Sequence, residues 1–230
     1  MNKRMIAVLV AAIAGTPWIT GAQETGNAPA PEEQKAEDLR MRALLEERIS
    51  AITADPVKHE AAMAEGRERA ATCKYCHGED GNSIKEGTPS IAGQSPVYIV
   101  DQFQRYGDDR RYDPWMANLA KTFSQEDKIK LALYFSEQEM KPQGGGDPAL
   151  MGRGKELFET LCVECHGSDG KGKEGYARLA GQRPEYTVKM LKEFKTPTGH
   201  RYNTWMFARA NMIRTEQAML AIATYLASLD

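Results

Sequence analysis

The sequence predicts an all-α protein made of two tandem domains of one fold, preceded by one additional helix. The first observation behind this prediction is an internal repeat: "IAGQSPVY" at 91–98 returns as "LAGQRPEY" at 179–186, and "RYDPWM" at 111–116 returns as "RYNTWM" at 201–206. The second is that no segment shows the sustained apolar–polar alternation of a half-buried strand, whereas apolar residues recur at helical spacing. A duplicated helical unit explains both observations.

The N-terminus is typical of an export signal. Positive Lys3 and Arg4 precede the apolar run "MIAVLVAAIAG" at 5–15, and small residues follow at 20–22. We expect residues 1–22 to be a cleaved signal peptide and the mature protein to lie in the periplasm. The alternative, an uncleaved membrane anchor, is disfavoured because a bilayer span needs about 20 apolar residues. We therefore expect no membrane span in the mature form.

Residues 23–54 are expected to hold a polar tether followed by an additional helix over 32–52. One face of this helix carries an apolar stripe at helical spacing, formed by Met41, Leu45, Ile49 and Ile52. The opposite face is charged. Two roles are open for this helix: packing on the neighbouring domain, or docking of a partner protein.

Two Asp-Pro pairs, at 55–56 and 147–148, each supply an N-cap and a first-turn proline for a helix. A run of three glycines at 144–146 precedes the second pair and is typical of a flexible link. These signals predict domain 1 over 55–143 and domain 2 over 144–230. Each domain reads as helix, cysteine phrase, loop, helix, loop, helix.

All four cysteines lie in two copies of one phrase, "CKYCHGEDG" at 73–81 and "CVECHGSDG" at 162–170. Cys-x-x-Cys-His is the attachment signature of c-type haem. Two thiols three positions apart on a helical turn can reach the two vinyl groups of one porphyrin, and the following His presents its imidazole to the iron. The phrases predict two covalently bound haem c groups, attached and ligated by Cys73, Cys76 and His77 in domain 1 and by Cys162, Cys165 and His166 in domain 2.

Paired cysteines have three other common uses. Zinc sites employ Cys-x-x-Cys pairs, but they need no His directly after each pair. A redox-active dithiol of the thioredoxin kind needs a strand–helix context, which this sequence lacks. Structural disulfides suit an exported protein, yet they do not explain the His and Gly that follow both pairs. Haem attachment explains the whole phrase.

The second repeated word predicts the distal ligands of the two irons. Met116 follows His77 by 39 residues and Met206 follows His166 by 40, and each Met comes directly after a Trp. Their matched placement makes them the thioether candidates, with His200 as a rival in domain 2. Ligation by His and Met fills both axial positions and raises the reduction potential. Such an iron transfers electrons and does not readily bind oxygen or peroxide.

Other residues are expected around the haems. Each proximal imidazole needs an acceptor for its second N–H, and the backbone carbonyls of Pro89 and Ala177 are the candidates. Four further side chains either reach the haem propionates or serve ordinary packing, namely Tyr98, Tyr186, Arg111 and Arg201. The formal net charge of −2 argues against a nucleic-acid partner, because such binding needs a strong basic excess.

The two haem phrases with matched methionines, the word "AGQ" with a following Pro and Tyr, and the final Tyr-bearing helices resemble the class I cytochromes c. The doubled arrangement resembles the dihaem cytochrome c4 family over roughly residues 55–229. The resemblance implies two class I cytochrome c-like domains related by a pseudo-twofold axis, with their haem edges near each other. The additional helix is a departure from this pattern.

The resemblance also implies a function. By this resemblance we expect a periplasmic electron carrier, not an enzyme, that moves single electrons between respiratory redox partners. These partners would be a terminal oxidase, a quinol–cytochrome c reductase or a periplasmic dehydrogenase. Two alternatives are an electron-transfer subunit of a periplasmic oxidoreductase and a dihaem enzyme such as a peroxidase. The peroxidase would require an accessible iron at one haem.

Overall fold

The computed structural model describes residues 31–196, 201 and 203–230, and these residues form helices and no strand. The predicted signal peptide at 1–22 and the rival ligand His200 lie outside the described residues. None of the helices in the described ranges combines the length and apolar character that crossing a bilayer requires. In chain order the helices are α1 (Pro31–Thr53), α2 (Pro56–Arg69), α3 (Ala71–His77), α4 (Pro96–Gly107), α5 (Pro114–Thr122), α6 (Gln125–Ser136), a 3₁₀ turn (Pro148–Leu150), α7 (Met151–Leu161), α8 (Val163–His166), α9 (Pro184–Phe194), α10 (Thr204–Met212) and α11 (Glu216–Ala227).

The helix order repeats, which confirms the predicted all-α class with a duplicated unit. The first half contains α2 to α6, and the second contains α7 to α11. The predicted N-cap Asp55 accepts hydrogen bonds from the backbone N–H groups of Val57 and Lys58 at 3.1 and 3.2 Å. Asp147 caps the 3₁₀ turn instead of a long helix, accepting from the N–H of Ala149 at 2.9 Å. The helix that leads into the second cysteine phrase follows this turn.

In each half the first long helix crosses the last, α2 on α6 and α7 on α11, and a glycine lies at each crossing. A Cβ atom added at Gly66 would lie 2.3 Å from the carbonyl oxygen of Lys130. One added at Gly154 would lie 2.0 Å from the carbonyl oxygen of Ala221. Because backbone cannot move away as a flexible side chain can, any larger residue here must push the two helices apart.

Replacing Gly154 by Ala is therefore expected to lower the free energy of unfolding by about 1–3 kcal/mol, the usual range for overpacking. The matched control is Gly152→Ala on the same helix, where an added Cβ meets nothing within 4 Å. Alanine there is the better helix former, so stability should be kept or slightly raised. Urea unfolding of the two purified variants measures the difference. Equal midpoints would contradict the close crossing of α7 and α11.

The additional helix α1 packs on the first half through its apolar stripe. Leu45 and Ile49 are only 4% and 6% exposed and join the core that includes Val100 of α4. Met41 and Ile52 pack at the edge of the same core. Of the two roles open from the sequence, the stripe thus serves packing, and a partner protein could not reach it without displacing the helix.

A buried ion-pair cluster also ties α1 to α4. Arg105 Nη2 lies 2.7 Å from Asp38 Oδ2 on α1, and Arg105 Nε lies 2.9 Å from Asp101 Oδ2 within α4. Removing one partner of a buried pair strands the other charge, which costs about 3–5 kcal/mol. This cluster therefore fixes the position of α1 along the first half as well as its rotation.

The two halves meet through two reciprocal side-chain clamps. Gln94 donates to the carbonyl of Arg178 at 2.9 Å and accepts from its N–H at 2.6 Å. Gln182 donates to the carbonyl of Ser90 at 2.9 Å and accepts from its N–H at 3.0 Å. Both glutamines end the repeated word "AGQ", so equivalent residues exchange equivalent bonds. Such self-complementary contacts are those of a twofold interface, and they explain why this word is repeated.

Replacing Gln182 by Ala is expected to destabilise the interface by about 1–3 kcal/mol for each backbone group left without its partner. Two of these groups belong to Ser90, which is 1% exposed, so water cannot replace the lost amide freely, and the third is the N–H of Arg183. Gln217→Ala is the control, because Gln217 is exposed on α11. Thermal unfolding of the two variants gives the comparison, and the Gln182 variant should melt earlier. A melting temperature equal to that of the control would show that Gln182 does not stabilise the interface.

Candidate haem-attachment sites

Each cysteine phrase ends a short helix at its histidine and then turns sharply at a glycine. α3 ends at His77 and α8 ends at His166. The glycines that follow, Gly78 and Gly167, have φ values of 86° and 78°. Residues with a Cβ rarely adopt this backbone region. The glycine after each histidine is therefore required by the turn that leads the chain away from the imidazole.

No disulfide bond joins any two of the four cysteines, so the disulfide interpretation gains no support. Before haem is attached, burial raises the pKa of the Cys73 thiol to about 11 and that of the Cys162 thiol to about 12. The two pairs belong to different halves. Within the described residues, no group of three or more His, Cys, Asp or Glu side chains is placed to hold a metal ion. A zinc site shared by the pairs is thus not assembled.

The proximal imidazoles are held by the backbone carbonyls that the sequence predicted. His77 Nδ1 lies 2.9 Å from the carbonyl oxygen of Pro89, and His166 Nδ1 lies 2.8 Å from that of Ala177. A carbonyl can only accept, so Nδ1 carries the proton and Nε2 keeps its lone pair for a metal. A neutral, oriented imidazole next to two thiols fits the attachment of haem.

The electrostatics of the histidines favour the neutral imidazole. Burial lowers the pKa of both His77 and His166, while the bonded carbonyls act in the opposite direction. A positive side chain lowers the pKa of each ring further, Arg111 for His77 and Arg42 for His166. A lowered pKa favours the neutral form of both rings at physiological pH.

The two candidate distal methionines have matching local structure. Each lies in the first turn of a helix, where the residue before the helix caps its backbone N–H. Asp113 accepts from the N–H of Met116 at 3.0 Å, and Asn203 accepts from the N–H of Met206 at 2.9 Å. Both methionines are partly buried, Met116 against the first core and Met206 against a cluster that includes Phe194. The caps hold both main chains at equivalent points of the repeat.

Arg111 and Arg201 lie together between the two halves. An isolated antiparallel bridge joins their backbones, and each is 8% exposed. Arg111 Nη2 donates to Tyr186 OH at 2.8 Å, and Arg201 donates to Tyr98 OH. Burial alone would raise the pKa of Tyr186, but the two nearby cations lower it. Among the described residues, neither guanidinium forms an ion pair with a carboxylate.

The sequence named these four residues but could not place them in one cluster. A propionate role and a packing role were both open, and the structure shows a buried positive centre at the interface. Two adjacent buried cations are unfavourable unless an anion neutralises them. The arrangement is therefore suited to acidic groups brought in by a ligand.

Known proteins share this organisation. A family model described as cytochrome c matches residues 151–230. Cytochrome c4 of Pseudomonas aeruginosa is 34% identical over 145 residues, which are 59% of this chain and 72% of that protein. The structure of Acidithiobacillus ferrooxidans cytochrome c4 aligns with a TM-score of 0.63 and 34% identity, covering 70% of this chain and 99% of that one. Thiosulfate dehydrogenase TsdBA from Marichromatium purpuratum aligns with a TM-score of 0.64 and 25% identity, covering 73% of this chain and 40% of that one.

These similarities agree with the duplicated helical fold, the paired thiols and the carbonyl-bound imidazoles. They extend across most of the length of the P. aeruginosa and A. ferrooxidans proteins. This chain belongs to the cytochrome c4 family, c-type cytochromes that transfer electrons and carry covalently bound haem.

Proposed function

We propose that this protein is a periplasmic dihaem cytochrome that carries single electrons between redox proteins. The observation that supports this proposal most directly is the duplicated proximal arrangement. In each half an imidazole directly follows a cysteine pair and donates a hydrogen bond to a backbone carbonyl, at 2.9 Å in one half and 2.8 Å in the other. The residues proposed to hold the two haems are Cys73, Cys76, His77 and Met116 in the first half and Cys162, Cys165, His166 and Met206 in the second.

Haem, when bound, supplies a one-electron redox centre. The protein's part is to attach, orient and shield it. The carbonyls of Pro89 and Ala177 keep each imidazole in the orientation and tautomer that a metal ligand needs. A thioether from Met116 or Met206 would complete the axial positions and keep oxygen and peroxide away. Few groups then have to move when the electron arrives or leaves.

We further propose that the buried pair Arg111 and Arg201 receives the haem propionates. The argument rests on charge: both guanidinium groups are buried, and within the described part of the chain no carboxylate pairs with them. Propionates from either half would supply the missing anions. Since Arg111 bonds Tyr186 and Arg201 bonds Tyr98, each cation already spans the interface. This would bring the two haems toward the same point.

The expected partners are redox proteins such as a terminal oxidase, a quinol–cytochrome c reductase or a periplasmic dehydrogenase. The similarity to TsdBA supports a second candidate function, an electron-transfer subunit of a periplasmic oxidoreductase. It covers 40% of that chain, as expected if only a cytochrome part is shared. A subunit would purify with its catalytic partner from a periplasmic extract, whereas a carrier would purify alone.

A redox titration of the purified holoprotein tests the carrier function, with intact mass counting the haems. The expected result is two haems, two one-electron transitions and the long-wavelength band of thioether-ligated ferric haem at both. Carbon monoxide offered to the reduced protein should bind neither haem rapidly. Rapid binding at one haem would instead favour a peroxidase-like enzyme and contradict the Met ligand at that site.

A further inference from the structure

Arg42 belongs to the additional helix α1, yet its side chain contacts the second half. The guanidinium carbon lies 4.1 Å from the centroid of the Tyr176 ring, in a cation–π arrangement. The Tyr176 ring in turn meets the imidazole of His166 edge to face, with the centroids 6.4 Å apart. The Tyr176 ring therefore lies between this cation, which belongs to a helix outside the repeated fold, and His166, the proposed proximal ligand of the second haem.

In the part of the chain that the structure describes, no carboxylate forms an ion pair with Arg42. Its Nε and Nη1 atoms are buried and find no hydrogen-bond acceptor among the described residues. Arg48, two turns along the same helix, pairs with Glu126 instead. A ring, unlike a carboxylate, does not cancel the positive charge that it contacts, and partial burial reduces the screening of the field by water. The nearby haem site is exposed to this field.

The position of Arg42 is fixed by its own helix. Asp38, Arg42, Leu45 and Ile49 lie on one face of α1 at helical spacing. Asp38 pairs with Arg105, and the two apolar residues are buried in the first core. Contacts on both sides along the helix thus hold the guanidinium over Tyr176. The cation is anchored in one half and acts in the other.

The first haem site has no aromatic ring at the matching position, and the cation near its histidine is Arg111 of the interface. Tyr176 precedes Ala177, whose carbonyl binds His166, while Thr88 precedes Pro89, whose carbonyl binds His77. A threonine offers no ring on which a cation could stack. The two proximal sites therefore share their cysteines, histidine and carbonyl bond, but only the second has a ring before the residue whose carbonyl binds the histidine.

We infer that Arg42, through its positive charge, raises the reduction potential of the second haem. This inference rests on the proposed function, since it assumes a haem in each half. Reduction adds one electron and lowers the charge of the site by one, so a fixed nearby cation stabilises the reduced state. Helix α1 thus makes the second haem easier to reduce.

The test is a spectroelectrochemical titration of the holoprotein with Arg42 replaced by Met, a side chain of similar length without charge. The potential of the second haem should fall while that of the first stays unchanged. Arg42→Lys should restore most of the wild-type value, because it restores the cation. Arg40→Met removes a charge from an exposed position on the same helix and should shift neither potential. Repeating the series in a Met116→His background separates the two transitions.

Several outcomes would overturn the inference. Unchanged potentials in Arg42→Met with earlier unfolding would make Arg42 a structural brace only, and a shift equal to that of Arg40→Met would reduce it to a general charge effect. If Arg42→Met loses haem, the potential of the second haem is compared between Arg42→Gln and Arg42→Lys, two polar side chains of which only Lys carries the charge. The wild-type haem count is measured first, so finding fewer than two haems would refute the proposed function rather than the role of Arg42.

Discussion

Replacing Met206 by His is expected to lower the reduction potential of the second haem by tenths of a volt. Imidazole favours ferric iron more than a thioether does, and axial ligands span a range of roughly 0.8 V in haem proteins. The thioether band of that haem should disappear as well. Met116→His should do the same to the first haem and leave the second nearly unaffected. Potentiometric titration followed by absorption gives both values.

Met212→His provides the control for this prediction. Met212 ends α10, whose first turn contains Met206, but it is 54% exposed and has no counterpart in the first half. A histidine there should change neither potential. If Met206→His leaves both potentials and the thioether band intact, Met206 is not the distal ligand. His200 would then be the residue to replace.

Removing both thiols of one phrase is expected to unfold the half that contains them. The variant Cys162→Ala/Cys165→Ala should carry one haem and lose the helical structure of residues 144–230. A domain of this size buries a modest core from its own side chains, and the haem would supply the large apolar plate around which its helices pack. Intact mass would count the haem, and far-ultraviolet circular dichroism would follow the helices.

The reciprocal variant Cys73→Ala/Cys76→Ala is the matched comparison. It should lose the first haem and destabilise the first half, although α1 adds Leu45 and Ile49 to that core. We therefore expect the loss of helix to be smaller than in the second half. A native-like helical spectrum from either variant would show that the side chains suffice and that haem is not needed for folding.

Much of the proximal site could be predicted because its parts are close in the chain. The thiols and the histidine of one phrase share a single helical turn, and the acceptor carbonyl follows His77 by 12 residues and His166 by 11. Helix starts such as Asp55 are equally local, since a cap bonds to N–H groups two or three positions away. The two matched methionines could be selected as ligand candidates from the internal repeat alone. Their ligand role remains a prediction.

Contacts between distant segments could not be predicted in the same way. The word "AGQ" indicated a family, yet nothing in it shows that each glutamine binds the backbone of the other half. Arg111 and Arg201 were equally compatible with propionate binding and with packing until both appeared in one buried cluster. Nothing in the sequence indicated a role for Arg42, because its partner Tyr176 is more than 130 positions away.

The sequence alone determined the helical class, the duplication and the chemistry of attachment, because caps, helical spacing and the Cys-x-x-Cys-His phrase act over a few neighbouring residues. Only the tertiary structure decided how the halves join, where the buried cations lie and what α1 contributes to the second site. Such contacts depend on the relative placement of whole helices. That placement follows from the packing of the entire core, including the close crossings at Gly66 and Gly154, and no single stretch of sequence records it.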